Sequence, residues 1–419
     1  MEAHRSRIWL FGNFGTANIG NDATLLAISQ RLRLLKPDSE LCCICSNPAQ
    51  VTAEHGIDAV PHTVRSRRIW DRGLPLGKRM PATVLGVGEE LREYVRAWRT
   101  LKGAQMLVVP GTGLVNDAFG LSGWGPYGLL KWSLVARLRR CKVVVLSVGA
   151  GPIDSVAGRR VVRAALSLAH YRSYRDLPSK LAVEATGVRA GQDPVCPDLA
   201  FGLTPSPSEP PPPEPRSRRV VAIGLMEYME SYSEAGPMQE TYGRYLESLA
   251  LFVRWLLQRD YDVKLLLGDD DTAVVGDFTD ALRRQVGSYD EARVVYRPAR
   301  SVEELFVELG KADAVVATRF HNVLMSLLLV KPVVAISFHH KCSSLMSEMG
   351  LSAYSQEMGE MDADALIARF QAVTQNAQDV TRVVARRIEH MREALNLQYE
   401  LIFQPGDQKP GFQASAVTT

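Results

Sequence analysis

Seven of the sixteen residues from Thr204 to Arg219 (TPSPSEPPPPEPRSRR) are proline. Proline fixes φ, lacks the N–H that helices and inner strands need, and biases the residue before it away from helix. Such a run is a semi-rigid linker, and the chain must fold as two parts on either side of it. At 419 residues, each part is long enough for its own core. Both parts carry the same rhythm. Before the linker, strand-like runs at 7–11, 41–46, 106–109, 143–147 and 171–175 alternate with helical spacing at 22–35 and 157–169. After it, strands at 220–224, 262–267, 314–317 and from 333 alternate with helices at 242–259 and 277–286. Alternation of this kind predicts an α/β fold with parallel, doubly wound sheets.

The expected division is an N-terminal α/β lobe over 1–204, a proline-rich linker over 205–218, and a C-terminal α/β lobe over 219–375. An amphipathic helix over 376–404 follows, then a disordered tail over 405–419. In that helix Val380, Val384, Ile388, Met391, Leu395 and Ile402 form one apolar stripe, which predicts that it packs back on a lobe.

Composition narrows the class further. A net charge of +3 gives no electrostatic case for nucleic acid as a partner. Of the six cysteines, three lie in the strand-like run LCCICS, whose Cys42 and Cys45 have C-x-x-C spacing but no second such pair and no His at zinc spacing, so a reduced, cytoplasmic compartment is expected. The N-terminus lacks a signal-peptide core, and the longest apolar run is broken by Lys331-Pro332, short of a membrane span. One basic stretch, Arg65 to Met80 (RSRRIWDRGLPLGKRM), reads either as a solvated loop or as a contact for lipid headgroups or a diphosphate.

Four places carry side chains suited to chemistry. In ADAVVATRFHNVLMSLLLVKPVVAISFHHK, Arg319 and His321 sit on a turn between a buried strand and an apolar helix expected over 323–330. Open α/β sheets bind ligands at such handovers. Arginine can clamp a carboxylate or phosphate, and histidine can move a proton near neutral pH. The loop FGNFGTANIGND offers Asn18, Gly20, Asn21 and Asp22 at a helix start, without the pattern of a phosphate-binding loop. The turn VVPGTGLVND presents Gly111, Thr112 and Gly113, then Asn116 and Asp117, where Asp117 suits a base. Arg175-Asp176 follows a strand directly, with Ser179 beyond. Each also suits an ordinary capped turn.

Taken in order from about Ile8 to Leu351, these pieces resemble the polysaccharide pyruvyl transferase family. The resemblance rests on GNFGTANIGNDA, PGTGLVND, VGAGP, Arg175-Asp176-Leu177-Pro178-Ser179, CPDLAF, Arg319-Phe320-His321 and KPVVAISFHHK ending at Lys341. It implies two Rossmann-like lobes of the GT-B type, with the acceptor on the N-terminal lobe and the donor on the C-terminal one. It also implies transfer of the pyruvyl group of phosphoenolpyruvate to a sugar as a ketal, with no cofactor or metal. The acceptor would be a polysaccharide or its lipid-linked precursor, and a contact with the inner membrane face through 65–79 would follow. By that resemblance Arg319, Phe320 and His321 hold the donor with Lys341, and Arg175 is a second cation from the opposite lobe. Asn18, Gly20, Gly111, Thr112 and Gly113 complete the substrate contacts. His321 is the acid or a phosphate partner, and Asp117 or Asp22 is the base toward the acceptor. Two other classes share the fold: a glycosyltransferase using a nucleotide sugar, and a non-catalytic scaffold.

Overall fold

The computed structural model describes residues 6–16, 18–63, 76–117, 125–205, 218–227, 238–267, 272–338 and 340–403. The linker, the tail and most of the basic 65–79 stretch therefore lie outside the described residues. The chain divides into two compact units. The first comprises Met1–Thr16, Thr24–Gly202 and Ala394–Thr419; the second comprises Ala17–Ala23 and Leu203–Glu393.

The first unit holds strands β1 (Arg7–Phe11), β2 (Glu40–Cys45), β3 (Asp58–Pro61), β4 (Ala104–Pro110), β5 (Lys142–Val148) and β6 (Tyr171–Tyr174). They form one parallel sheet in the order β3-β2-β1-β4-β5-β6. The helices between them are α1 (Ile19–Leu35), α2 (Pro48–His55), α3 (Leu76–Thr100), α4 (Pro126–Leu138) and α5 (Val156–Ser167), with α6 (Leu177–Glu184) after β6. The second unit repeats the plan with β7 (Val220–Gly224), β8 (Asp262–Leu266), β9 (Val294–Tyr296), β10 (Ala314–Ala317), β11 (Val333–Ser337) and β12 (Ser355–Glu357). Its order is β12-β11-β10-β7-β8-β9, again all parallel. Its helices are α7 (Met238–Leu257), α8 (Ala273–Val286), α9 (Val302–Gly310), α10 (Phe320–Leu328), α11 (His340–Glu348) and α12 (Ala363–Gln375). The last helix, α13 (Ala377–Phe403), belongs to the second unit up to Glu393 and to the first from Ala394. Both sheets are Rossmann-like, and each has a topological switch point, between β1 and β4 and between β7 and β10.

Central strands such as Ala314–Ala317 are buried throughout, as parallel strands covered on both faces must be. Side-chain caps open several helices: Ser155 for α5, Asp176 for α6, Ser301 for α9 and Asp362 for α12. The stripe from Val380 to Ile402 is the buried face of α13. Its end is fixed to the first sheet by Gln398, whose Oε1 accepts from Ser173 Oγ at 2.6 Å and from Tyr171 OH at 3.2 Å. All six cysteines are free and buried. Among the described residues no helix is long and apolar enough to cross a membrane.

In the first core Trp132 is fully buried, and its indole N–H donates to the His62 carbonyl at 3.2 Å. Arg96 donates to the carbonyls of Pro61 and His62 and lies 5.5 Å over the Trp132 ring. Burial, then the charges of Lys131 and Arg96, push the His62 imidazole down to about 4. The folded protein therefore takes up that proton less readily than the unfolded chain, whose histidine titrates near 6.5. Stability is full above about pH 6.5 and is lost as pH falls toward 4, by on the order of 3 kcal/mol. In urea melts across this range, His62→Gln should flatten the acid limb by about that amount. An unchanged slope would show that another group controls it.

Candidate functional site

The switch point of the second sheet lies between β7 and β10, and the chain leaves β10 directly into Thr318, Arg319 and α10. Thr318 is pinned from three sides. Its N–H donates to the Gly224 carbonyl at 3.1 Å, and its hydroxyl meets the Tyr245 hydroxyl at 2.9 Å. Its carbonyl accepts from Cys342 Sγ at 3.5 Å. That last contact ties the start of α11, and with it Lys341, to the turn that carries Arg319. Tyr245 is fully buried, and burial pushes its hydroxyl up to about 12, against opposing pulls from Thr318, the Met226 N–H and the Arg319 charge. It is a neutral post for the turn.

Arg319 is the residue immediately before α10, and His321 is the second residue inside it. The helix thus starts three residues earlier than its apolar run predicts, and the expected turn is its first turn. The opening amides of a helix point along its axis without intrahelical acceptors, at the positive end of its dipole. Here that end coincides with a guanidinium, an arrangement suited to an anion. The Phe320 ring lies edge-on to the imidazole, with centroids 5.0 Å apart. Arg319, Phe320, His321 and Lys341 are all half-buried.

The N-terminal glycine loop reaches this place too. Asn18 caps α1, accepting from the Asn21 N–H at 3.1 Å on Oδ1, and its carbonyl accepts from the Asp22 N–H at 3.2 Å. A Cβ on Gly20 would overlap the His321 imidazole at Nδ1. Only glycine lets the first turn of α1 approach the ring so closely. Asp22 lies two residues on and is 7% exposed.

Sequence reasoning missed Asn322. It is fully buried, and among the described residues neither amide atom has a hydrogen-bond partner. A Cβ on Gly224 would come within 2.7 Å of its Nδ2. An unsatisfied buried amide costs about 1–3 kcal/mol, which a structure bears where a ligand or water completes it. The available signal was a polar residue directly after Arg319-Phe320-His321, opening an otherwise apolar helix.

The remaining candidates belong to the first unit, at its own switch point and next to it. The Gly111 N–H donates to the Leu146 carbonyl at 2.7 Å, and the Thr112 carbonyl accepts from the Gly149 N–H at 3.2 Å. Thr112 is 3% exposed, and Gly113 has open space where a side chain would stand. Asp117 is differently placed from the base expected of it. Its carboxylate accepts from Ser155 Oγ at 2.5 Å, Ser155 N at 2.9 Å and Asp154 N at 3.0 Å. Burial works against its charge, but these hydrogen bonds prevail and hold it below the usual carboxylate range. These bonds tie Asp117 to the start of α5. Arg175 is 8% exposed and paired with Asp176 at 3.4 Å and Asp198 at 3.3 Å, so two carboxylates offset its charge. A Cβ on Gly149 would lie 2.9 Å from its guanidinium, which therefore lies close against the Gly149 backbone.

Two Rossmann-like lobes with a charged cluster at a switch point define the class as GT-B-like. The fold is shared with a glycosyltransferase from Rickettsia africae (TM-score 0.59, 10% identity, over 96% of this chain and 100% of that one). It is shared equally with the UDP-GlcNAc 2-epimerase of Neisseria meningitidis bound to UDP-GlcNAc (TM-score 0.57, 12% identity, 96% and 100%). Within that class, residues 18–340 match the family model of the polysaccharide pyruvyl transferases, and the chain belongs to this family. It is also 22% identical over 414 residues to the amylovoran biosynthesis protein AmsJ of Erwinia amylovora, covering 92% of this chain and 96% of that protein.

Proposed function

We propose that the protein transfers the pyruvyl group of phosphoenolpyruvate to a sugar of a polysaccharide, or of its lipid-linked precursor, as a cyclic ketal. Family membership makes it a transferase acting in polysaccharide synthesis. The observation that carries the donor assignment is Arg319 with the His321 imidazole at the N-terminus of α10, against Gly20. Phosphoenolpyruvate bears a carboxylate and a phosphate. Arg319, Lys341 and the N-terminal end of α10 supply positive charge for both, with Asn322 as a further amide.

His321 donates its proton to the enol methylene, which becomes a methyl group and leaves an oxocarbenium-like carbon. One sugar hydroxyl attacks that carbon and gives its proton to Asp22. A second hydroxyl then closes the ring as phosphate departs from that carbon, and its proton leaves with phosphate. Each acid–base group contributes about 10²–10⁴-fold. Asp117 is assigned to the cap of α5, which leaves the base role to Asp22. Arg175, already held by two carboxylates, takes no part in these steps.

Thermal unfolding with candidate donors tests the assignment. Phosphoenolpyruvate at about a hundred times Kd should stabilise the protein by about 2.7 kcal/mol. UDP-sugars should leave the melting temperature unchanged. Stabilisation by a UDP-sugar and none by phosphoenolpyruvate would overturn the assignment in favour of a glycosyltransferase.

A further inference from the structure

One face of α3 shows apolar side chains to solvent at helical spacing. Leu91, Val95 and Trp98 are 62%, 49% and 42% exposed. At 3.6 residues per turn they fall within about 60° of arc, and Arg92 and Arg99 follow along one flank, within about 100° of Leu91. Both arginines are exposed. From the neighbouring helix, Arg139 lies 4.4 Å over the Trp98 ring. The acidic residues of α3 are turned elsewhere. Glu90 accepts from Tyr127 at 2.8 Å and pairs with Lys131, and Glu93 pairs with Arg96. Glu89 lies about 160° round the helix from Leu91, beyond the arginine flank. Among the described residues of α3, the exposed face therefore carries apolar and cationic groups with no carboxylate among them.

We propose that this face of α3 is a membrane-surface contact, in which Leu91, Val95 and Trp98 enter the headgroup boundary and Arg92 and Arg99 meet anionic lipid. A helix with this division of side chains lies in the interface plane rather than across the bilayer. Tryptophan prefers that boundary, and arginines near an anionic leaflet are drawn to its surface charge. Three side chains cannot supply the ~800 Å² per partner that stable protein interfaces bury, so a lipid surface fits the face better than a protein. A lipid-linked acceptor would be presented at such a surface, yet the proposal depends neither on the donor's identity nor on the basic stretch at 65–79.

The test is co-sedimentation of the full-length protein with vesicles of phosphatidylcholine alone or mixed with phosphatidylglycerol. Binding is expected to the anionic vesicles and to weaken as salt is raised. Leu91→Asp with Val95→Asp, and separately Arg92→Glu with Arg99→Glu, should each reduce it by about tenfold or more. Leu181→Asp replaces an equally exposed leucine on α6 (53% exposed) and should change nothing. Circular dichroism confirms that each variant is folded. Absence of wild-type binding, full binding by the α3 variants, or an equal loss in Leu181→Asp would overturn the proposal. A change of oligomeric state in the α3 variants with vesicle binding intact would assign the face to self-association instead.

Discussion

Gly20→Ala is expected to remove nearly all turnover while leaving the protein folded. The new methyl group would occupy the space of the His321 imidazole, so either the ring or the first turn of α1 must move. Under the proposed acid role of His321, a ring displaced by an ångström would no longer deliver its proton along the required line, and misplacement of that size costs about 10²-fold. Loss of the acid altogether, as in His321→Ala, costs about 10²–10⁴-fold. Both substitutions act through one imidazole, so their effects should not add. The double variant Gly20→Ala, His321→Ala should be no slower than His321→Ala alone, measured as phosphate release from phosphoenolpyruvate with a saccharide acceptor. Additive losses would show that Gly20 serves something other than the ring. Unchanged turnover in His321→Ala would remove the acid role itself.

That contact also shows where sequence reasoning stops. Gly20 and His321 are separated by 301 positions, and no local spacing links them. The glycine loop is legible as a place of close approach, but the group approached is not. The strands of both sheets are legible wherever they are long and apolar, as at Val143 to Leu146. The edge strands Asp58–Pro61, Val294–Tyr296 and Ser355–Glu357 escape sequence reasoning because three or four residues, few of them fully buried, carry no period. The start of α10 is hidden because Arg319-Phe320-His321 has the look of a polar turn. At a helix N-terminus the first residues need no intrahelical N–H bond, so polar groups cost little there. For Asp117, position after a glycine turn suggests a base. Its partners, Asp154 and Ser155, come from a turn 37 and 38 residues away, which no local spacing reveals.

Asp198→Ala should strongly destabilise the first unit. The Arg175 guanidinium is held by Asp176 and Asp198 with almost no solvent, and Asp198 Oδ1 also accepts from the Ala200 N–H at 3.0 Å. A buried pair adds little over a well-packed apolar substitute, because desolvation offsets the attraction. Removing one partner is different, since the remaining charge stays buried without full compensation, at a cost of about 3–5 kcal/mol. For a unit of this size each kcal/mol lowers the melting temperature by roughly 2–4 °C, so a fall on the order of 10 °C is expected. Asp198→Asn should spare only the Ala200 part of the cost, because its one amide oxygen can still accept from the Ala200 N–H while its NH2 then faces the guanidinium. Arg175→Met with Asp198→Ala should recover part of the loss, since it removes the stranded cation. A double variant as unstable as the sum of its parts would mean that Asp198 acts through the turn at Ala200 and not through the charge of Arg175.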